Sequence, residues 1–517
     1  MMTTANPTLH FAFDNTYARD LAGLYVSWKP AAAPAPRLLY LNDALAAELG
    51  LAAQALVAPE LAAVFAGNRV PAGAEPLAQA YAGHQFGGFS PQLGDGRALL
   101  LGEVIDRRGR RRDIALKGSG RTPFSRGGDG RAAVGPMLRE VIIGEALHAL
   151  GIPTTRALAV AATGEAVLRE LPLPGAVLTR VAASHLRVGT FEYFVARGEQ
   201  DKLRQLADYT IARHDPGLIG TPDRVLGLLR AVAERQALLI AQWMNVGFIH
   251  GVMNTDNMTI SGESIDFGPC AFMEAVDPAT VFSSIDHGGR YAYGNQPHVA
   301  HWNLAKLAEA LLPLVADGCD QAAVDKAVAE ATAVIDAFPA RYASALLAGQ
   351  RAKLGLLHAG PANDAADTAL ADDWLALLKR ERVDFTLAWR RLADAAAGND
   401  VPLGALFTDA QAPFAWLARW RARCAVDDAA GGALATDPAQ SAQARARRLR
   451  AVNPFVIPRN HRVEEALAAA TEHDDLGPFE RLLAAVRRPF DEAPDQAAYG
   501  EPASAAVTAG YQTFCGT

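Results

Sequence analysis

One short segment constrains the fold more than any other part of this 517-residue chain. Residues 248–269 read FIHGVMNTDNMTISGESIDFGP, which places His250, Asn257 and Asp266 in order within one stretch. The apolar residues between Asn257 and Asp266 predict a short strand pair, and a long amphipathic helical pattern precedes the segment. The chain therefore needs a fold in which a helix leads into a compact, buried turn that carries polar side chains.

The polar residues of this segment are typical of a magnesium site. In kinase-like enzymes an Asn and the aspartate of an Asp-Phe-Gly triplet supply oxygen ligands to Mg²⁺, which bridges and neutralises triphosphate oxygens. Here the corresponding side chains are Asn257 and Asp266. We therefore expect these two residues to hold Mg²⁺, with Mn²⁺ as the alternative, beside the phosphates of a nucleotide.

A second candidate is Lys117, one of only seven lysines among 49 basic residues. It ends DIALK, the second strand of a predicted hairpin whose first strand is ALLLGEVI. A buried ammonium needs an anionic partner, which the following helix offers at Glu140 or, as the alternative, at Glu145. The simpler interpretation is a strand-end lysine that extends into solvent.

A glycine-rich turn, Gly94-Asp95-Gly96-Arg97, opens the first strand of that hairpin. Glycine lets backbone N–H groups approach phosphate oxygens closely, so the turn is suited to cover a nucleotide. The same four residues would equally suit an ordinary hairpin turn.

One residue that a protein kinase requires is missing. The catalytic aspartate lies two residues after the histidine in protein kinases, and that position is Val252 here. The nearest carboxylate is Asp256, directly before Asn257. Either the base has moved or the reaction differs from phosphorylation.

Several long and unusual blocks in one order show that the sequence resembles the SelO family, pseudokinases that transfer AMP from ATP to protein hydroxyls. The blocks are YAGHQFGGFSPQLGDGRA, DIALKGSGRTPFSRGGDGRA, VLTRVAASHLRVGTFEYF, FIHGVMNTDNM, IDFGPCAFM, HGGRYAYGNQP and NPFVIPRNHRVEEAL.

The resemblance implies an α+β, protein-kinase-like bilobal fold. Such a fold has a small β-rich N-lobe with one key helix, a mainly helical C-lobe, and N-terminal and C-terminal helical extensions. We place the N-terminal extension at 1–80, the N-lobe with its nucleotide-binding loop at 81–190, the C-lobe with the catalytic segment at 191–345 and the C-terminal extension at 346–517.

The resemblance also assigns roles to individual residues. Lys117 and Glu140 match the family's ion pair, Asn257 and Asp266 its metal ligands, and Asp256 its proton acceptor. The residues that match nucleotide contacts are Gly94, Gly96, Arg97, Lys117, Asp129, Gly130, Arg180, Arg187 and Asp266. In the family the γ-phosphate points inward to basic residues and the α-phosphate faces the acceptor. Without the family, Arg180 and Arg187 would be interpreted as surface arginines.

Four cysteines are scattered without metal-binding spacing. Cys515 lies third from the C-terminus, where some relatives carry selenocysteine. The resemblance implies a reversible disulfide between Cys270 and Cys515, with two free thiols as the alternative.

Net charge and local texture limit the remaining functions. A formal charge of −7 argues against a nucleic-acid-coating protein, and we interpret the arginine run at 107–112 as a solvated hairpin turn. No long apolar stretch predicts a membrane span, so we expect a cytoplasmic protein, and we also expect a monomer. The resemblance implies that its substrates are proteins. Residues 1–80 predict irregular structure with one or two short helices, and Ala-, Asp- and Gly-rich stretches at 358–373 and 425–447 predict loops.

Three functions fit the sequence: a protein AMP transferase, a γ-phosphotransferase and a non-catalytic nucleotide-binding scaffold. Val252 weighs against the second, and the intact set of Lys117, Asn257 and Asp266 weighs against the third. Transfer of UMP from UTP is a close variant of the first.

Overall fold

The computed structural model describes residues 9–53, 56–316, 320–358, 360–430 and 438–514. It is a mixed α/β structure with one large antiparallel sheet and many helices. In these parts of the chain, no helix combines the length and apolar character that crossing a membrane requires.

The main sheet has eight strands. The strands of the described chain are β1 (Tyr25–Ser27), β2 (Arg37–Leu41), β3 (Leu77–Gln79), β4 (Gly83–Gln85), β5 (Gly88–Ser90), β6 (Ala98–Ile105), β7 (Arg111–Lys117), β8 (Ala132–Ala133), β9 (Arg156–Leu168), β10 (Pro172–Ala182), β11 (Phe248–Ile249) and β12 (Ala271–Phe272). The order in the main sheet is β1-β3-β6-β7-β10-β9-β2, with β8 beside β10, while β4–β5 and β11–β12 form separate pairs.

The first 80 residues contribute to this sheet. They contain α1 (Thr16–Asp20), α2 (Asp43–Glu48) and α3 (Ala58–Phe65), and also β1 to β3, where the sequence predicts irregular structure. Strands of three to five residues are too short to show a period-two pattern. They form because the longer strands already present a hydrogen-bonding edge, and β2 pairs with β9 while β3 pairs with β6.

The arginine run spans the turn between β6 and β7 and the first two residues of β7, and carboxylates neutralise much of it. Arg110 contacts Asp106 at 2.9 Å, Arg112 contacts the same residue at 3.3 Å, and Arg111 contacts Asp14 at 2.6 Å. Guanidinium groups held by carboxylates are poorly available to phosphates. These pairs support the hairpin interpretation of the run.

Helix α4 (Val134–Ala149) is enclosed by protein on both sides. Its Leu138, Val141 and Ile142 are fully buried in the core that includes the sheet residues of β9 and β10. Helices α16 (Asn460–Glu472) and α17 (Gly477–Val486) pack on its other side. A helix clamped in this way holds its polar side chains in fixed positions.

The remaining helices build the second part of the molecule. They are α5 (Val188–Val195), α6 (Gln200–His214), α7 (Arg224–Val246), α8 (Gln296–Val315), α9 (Gln321–Asp336), α10 (Phe338–Lys353), α11 (Asp364–Glu381), α12 (Phe385–Ala396), α13 (Val401–Gly404), α14 (Phe414–Ala430), α15 (Pro438–Val452), α18 (Ala497–Gly500) and α19 (Ala505–Thr508). Helix α7 ends at Gly247, whose positive φ of 73° lets the chain turn into β11.

The loops predicted at 358–373 and 425–447 are largely helical, so that prediction is wrong where the structure describes them. Helix α11 begins at Asp364, and α14 and α15 cover most of the second stretch, while 431–437 lie outside the described residues. Alanine has the highest helix propensity, and the stacking of Trp374 on Trp416 at 4.2 Å anchors α11 to α14.

The segment after β11 does not pair with itself as the sequence predicts. Thr259 forms a bridge with Arg187, and Ser264 forms one with Thr154. Both halves of the segment thus satisfy backbone groups on other parts of the chain, which fixes the segment against the sheet.

Candidate active site

A single cavity of about 460 Å³ brings the predicted site residues together. Its size lies within the range typical of small-molecule sites. The twelve residues predicted as nucleotide contacts, metal ligands, proton acceptor or ion-pair partner all line it: Gly94, Gly96, Arg97, Lys117, Asp129, Gly130, Glu140, Arg180, Arg187, Asp256, Asn257 and Asp266.

Four charged side chains form a compact cluster at this cavity. Lys117 at the end of β7 donates to Glu140 of α4 and, at 2.5 Å, to Asp266. Arg180 of β10 donates to the same two carboxylates, at 2.9 Å and 2.5 Å. The ion-pair partner of Lys117 on α4 is therefore Glu140, because Glu145 bonds Arg156 and Arg487 instead.

The cluster keeps its carboxylates ionised despite burial. Burial alone raises the pKa of Asp266, but Arg180 and Lys117 bring that pKa well below its usual value. The same two cations lower the pKa of Glu140 against the same effect of burial. The two opposite charge pairs balance within the cluster, so any further cation at the cavity attracts an anion.

Arg187 supplies such a further cation. It is buried, its Nη1 donates to the backbone carbonyl of Asp256 at 3.1 Å, and its guanidinium lies over the Tyr81 ring at 4.4 Å. Within the described residues its guanidinium forms no ion pair. A buried arginine held by a carbonyl and a ring retains donors for a phosphate.

Asp256 has a different environment from Asp266. It lies in the 3₁₀ turn Thr255–Asn257, where its Oδ2 accepts from Gln85 Nε2 at 3.2 Å and its Oδ1 is buried without a hydrogen-bond partner. Burial raises the pKa of Asp256 to about 6, although Arg187 opposes the shift. A carboxylate that is ionised at neutral pH and has an unsatisfied oxygen is suited to accept a proton.

His250 organises the segment between the two aspartates. Its Nε2 lies 2.8 Å from the carbonyl of Ile265, its Nδ1 accepts from Val252 N at 3.4 Å, and its own backbone N–H donates to Gln296. Burial lowers the pKa of His250, which keeps the ring neutral. The residue thereby ties the start of the segment to Asp266, whose positive φ of 63° turns its carboxylate to the cluster.

Asn257 and Asp266 fit a divalent cation in number and chemistry. The Asn257 amide donates to the Val252 carbonyl at 3.0 Å, which leaves its Oδ1 available. Lys117 and Arg180 both contact Oδ1 of Asp266, and no described residue donates to its Oδ2. No larger His, Cys, Asp or Glu cluster suited to a metal occurs among the described residues. One amide and one carboxylate match Mg²⁺, which completes its shell with phosphates and water.

The glycine turn between β5 and β6 requires glycine at Gly94. A Cβ there would lie 2.3 Å from Cγ of Phe124, and its φ is 68°. Thr122 and Ser125, which flank Phe124, donate to the carbonyls of Asp95 and Gly96. A second loop therefore closes over the turn and fixes its backbone at the edge of the cavity.

Asp129 and Gly130 lie on that second loop. Gly130 has a φ of 68°, and a Cβ there would lie 2.2 Å from the Gly120 carbonyl. Asp129 pairs with Arg169 at 2.8 Å, and Arg169 also lines the cavity. The sequence did not single out Arg169, which lies at the tip of the β9–β10 hairpin with no motif around it.

His84, Gln85 and Glu192, which are not among the predicted site residues, hold the segment 248–269. His84 Nδ1 lies 2.6 Å from Glu192, which also accepts from Thr255 Oγ1 at 2.6 Å, and Thr255 in turn accepts from the His84 backbone N–H at 2.7 Å. Gln85, next to His84, reaches Asp256. His84 and Gln85 lie in the block YAGHQFGGF, so their sequence neighbourhood was the available signal.

The predicted disulfide lies only half within the described chain. Cys270 is a free, fully buried thiol whose Sγ lies 3.2 Å from the Phe267 carbonyl, and burial raises its pKa to about 12. Cys515 lies outside the described residues. Thr513, two residues before Cys515 in the chain, donates its hydroxyl to the Pro269 carbonyl at 2.6 Å. The pairing of Cys270 with Cys515 stays a prediction.

Comparison with known proteins identifies the class of enzyme. Proteins named protein nucleotidyltransferase YdiU match nearly the whole chain: one from Cereibacter sphaeroides is 59% identical over 508 residues, covering 98% of this chain and 100% of the relative. The relative from Chromobacterium violaceum is 60% identical over 489 residues, covering 95% and 98%. That from Rhizobium etli is 56% identical over 513 residues, covering 99% and 98%. The chain is therefore a nucleotidyltransferase.

The family follows from a second match. The family model described as "Protein adenylyltransferase SelO" covers residues 7–487, and the chain belongs to this family. The resemblance drawn from the sequence blocks is thereby confirmed, as is the assignment of the chain as an enzyme that modifies proteins with a nucleotide.

Proposed function

We propose that this chain transfers AMP from ATP to Ser, Thr or Tyr hydroxyls of proteins and releases pyrophosphate. The observation that carries the proposal is the cluster of Lys117, Arg180, Glu140 and Asp266 in one cavity with Asp256. Val252 occupies the position of the catalytic aspartate of protein kinases. The carboxylate that remains available as the proton acceptor is Asp256, which directly precedes Asn257.

We infer a kinase-like bilobal arrangement around this cavity. The sheet with α4 would form the small lobe at 81–190, and the helices from α5 onward the larger lobe at 191–345. The strands within 1–80 would extend the small lobe, and the helices of 346–517 would support α4 from behind. The position of the cavity, lined by β7, α4, β10 and the segment after β11, supports this division.

The cations suggest how ATP binds. The most deeply buried cations at the cavity are Lys117, Arg180 and Arg187. These three side chains would hold the β- and γ-phosphates. The α-phosphate would then face Asp256. Backbone N–H groups of the turns at Gly94 and Gly130 would cover the nucleotide.

The reaction would form a bond between the acceptor oxygen and the α-phosphorus and break the bond from that phosphorus to the β-phosphate oxygen. Asp256 accepts the proton of the hydroxyl, and pyrophosphate leaves with the electron pair of the broken bond. Asn257 and Asp266 would hold a divalent cation, Mg²⁺ or Mn²⁺, which supplies charge neutralisation to the phosphates. Arg187 fixes the Asp256 backbone at 3.1 Å and so orients the acceptor of the proton.

The nucleotide substrate could carry uracil in place of adenine, so that UTP is an alternative to ATP. The relatives' name, protein nucleotidyltransferase, covers both, and phosphate contacts do not distinguish the bases. UMP transfer from UTP is therefore the variant to test beside AMP transfer.

Incubation of the protein and a bacterial lysate with ATP labelled at the α- or the γ-phosphate tests the proposal, with α-labelled UTP in parallel. We expect only the α label to stay on protein. The variant Asp266→Ala should abolish labelling, whereas Asp201→Ala, an exposed residue of α6, should not. Retention of γ label alone would support a kinase, and no label from any nucleotide would support a scaffold. Persistent labelling by Asp266→Ala would refute the metal assignment.

A further inference from the structure

Two exposed apolar side chains line the cavity where it opens to the surface. Phe86, at the turn of the β4–β5 hairpin, is 40% exposed, and Ile285 is 45% exposed. Both residues line the cavity. We call these two residues the apolar rim. Exposed apolar surface that continues into a site is typical of a surface that binds a partner.

The backbone at Phe86 is held in an unfavourable conformation. Its φ of 51° lies in the left-handed region, which costs a bulky residue about 1–2 kcal/mol. The Phe86 N–H donates to Asn254 Oδ1 at 3.1 Å and to the Tyr291 hydroxyl at 3.2 Å, and the Phe86 ring packs on Tyr291 at 5.1 Å. The surroundings thus hold a partly exposed aromatic ring in place although the backbone strain opposes folding.

The hairpin is fixed relative to the proposed proton acceptor. Its Gln85 donates to Asp256 at 3.2 Å, and His84 is bonded to Thr255 and Glu192. A molecule bound to the apolar rim is therefore held at a fixed distance from Asp256. The cations that would hold the phosphates lie on β7, on β10 and at the start of α5, and none of them belongs to the hairpin.

We propose that the apolar rim docks the acceptor protein through an apolar side chain next to the modified hydroxyl. The inference rests on the proposed function, because an acceptor hydroxyl has to reach Asp256. The rim is continuous with the cavity that the acceptor must enter, and Phe86 lines both. The triphosphate of ATP is charged and gains nothing from contact with an apolar surface. An acceptor protein, in contrast, carries apolar side chains next to its hydroxyl groups that can pack on the rim.

The variant Phe86→Asn tests the rim without disturbing the turn, since asparagine tolerates the left-handed conformation. Phe414→Asn is the matched control, because Phe414 begins α14, is 37% exposed and does not line the cavity. The probes are two sets of synthetic peptides with one central Ser, Thr or Tyr, flanked either by Leu or by Asp. Transfer of α-labelled nucleotide to peptide and the Kd for ATP are both measured.

We expect the wild type and Phe414→Asn to modify the Leu-flanked peptides with a kcat/KM about tenfold higher than the Asp-flanked ones. Phe86→Asn should lose this preference with an unchanged Kd for ATP. Equal use of both sets by the wild type, or a preference retained by Phe86→Asn, would overturn the proposal.

Other occupants of the rim give distinct results. A weaker Kd for ATP in Phe86→Asn would assign the rim to the nucleotide base, and self-association of the wild type that this variant abolishes would assign it to a second copy of the chain. Either result overturns the proposal. Labelling of lysate proteins but of no peptide also overturns it, whereas labelling of neither by the wild type means that the proposed function has failed.

Discussion

Two aspartates ten positions apart, Asp256 and Asp266, have opposite electrostatic environments, which suit them to the different roles that we propose. Cations hold the pKa of Asp266 well below its usual value, whereas burial raises that of Asp256 to about 6. Environments that separate the pKa values of two carboxylates commonly divide their roles. Asp266 stays ionised and is thereby suited to bind a metal cation, whereas Asp256 is suited to take up a proton.

Glu140 and Glu145 lie on the same helix but should respond differently to removal of charge. Glu140→Gln leaves Lys117 and Arg180 with Asp266 alone, so we expect nucleotide transfer to fall at least about tenfold together with a loss of stability of about 3–5 kcal/mol. Glu145→Gln breaks its pairs with arginines outside the cavity and should lower stability while leaving transfer nearly intact.

Label transfer and urea unfolding of both variants measure the two effects separately. The contradicting result is a loss of nucleotide transfer that tracks the loss of unfolding free energy equally in both variants. In that case the ion pair of Lys117 with Glu140 would have a structural role only.

The sequence left the partner of Lys117 open between Glu140 and Glu145, and physical reasons explain why. Both residues are buried on α4, so burial does not separate them. The choice depends on Arg156 and Arg487, which occupy Glu145. Arg487 directly follows α17, more than 340 residues away along the chain, and no local pattern reveals such a contact.

Individual elements differ in how well the sequence predicts them. The β6–β7 hairpin, α4 and α7 are long and strongly patterned, and the structure contains all three where they are predicted. Strands β1 to β3 are short and depend on pairing with distant strands, and the alanine-rich stretch of α11 depends on the tryptophan contact with α14. Tertiary contacts determine the elements that were missed.

A substitution at Gly94 tests whether the loop before β6 covers the nucleotide. Gly94→Ala places a methyl group 2.3 Å from the Phe124 ring, so the two loops that cover the cavity must separate. We expect the affinity for ATP to fall at least about tenfold, in addition to a strain of about 1–2 kcal/mol from the positive φ.

Gly109→Ala is the control for the loop. Gly109 also has a positive φ, of 75°, but a Cβ there has no neighbour within 4 Å. It should show the strain in thermal unfolding and no change in ATP affinity by calorimetry. Equal ATP affinities for the two variants would mean that the loop does not cover the nucleotide.

The stability of the whole chain should depend on pH through a lysine remote from the cavity. Lys353 is buried near the rings of Trp389 and Phe385, and burial lowers its pKa from 10.5 to about 7. Below pH 7 the lysine is charged in both the folded and the unfolded chain. Between about 7 and 10.5 the unfolded chain binds more protons, so this residue's contribution to the free energy of unfolding rises with pH.

Lys353→Met removes this titration and keeps the length of the side chain. We expect the free energy of unfolding of the wild type to increase relative to that of the variant as the pH rises above 7. The control Lys326→Met changes an exposed lysine and should follow the wild type. Parallel pH curves for the wild type and Lys353→Met in urea unfolding would show that Lys353 keeps its ordinary pKa.

The central claim concerns which phosphate bond breaks, and ATP analogues test it most directly. With a methylene group between the β- and γ-phosphates the α–β bond is still cleavable, whereas a methylene between the α- and β-phosphates blocks it. Modification of lysate proteins is followed by mass spectrometry with each analogue and the wild-type chain. The proposed function predicts adenylylated protein with the β,γ-methylene analogue and none with the α,β-methylene analogue. Phosphorylated protein from the α,β-methylene analogue, and no modification from the other, would contradict it.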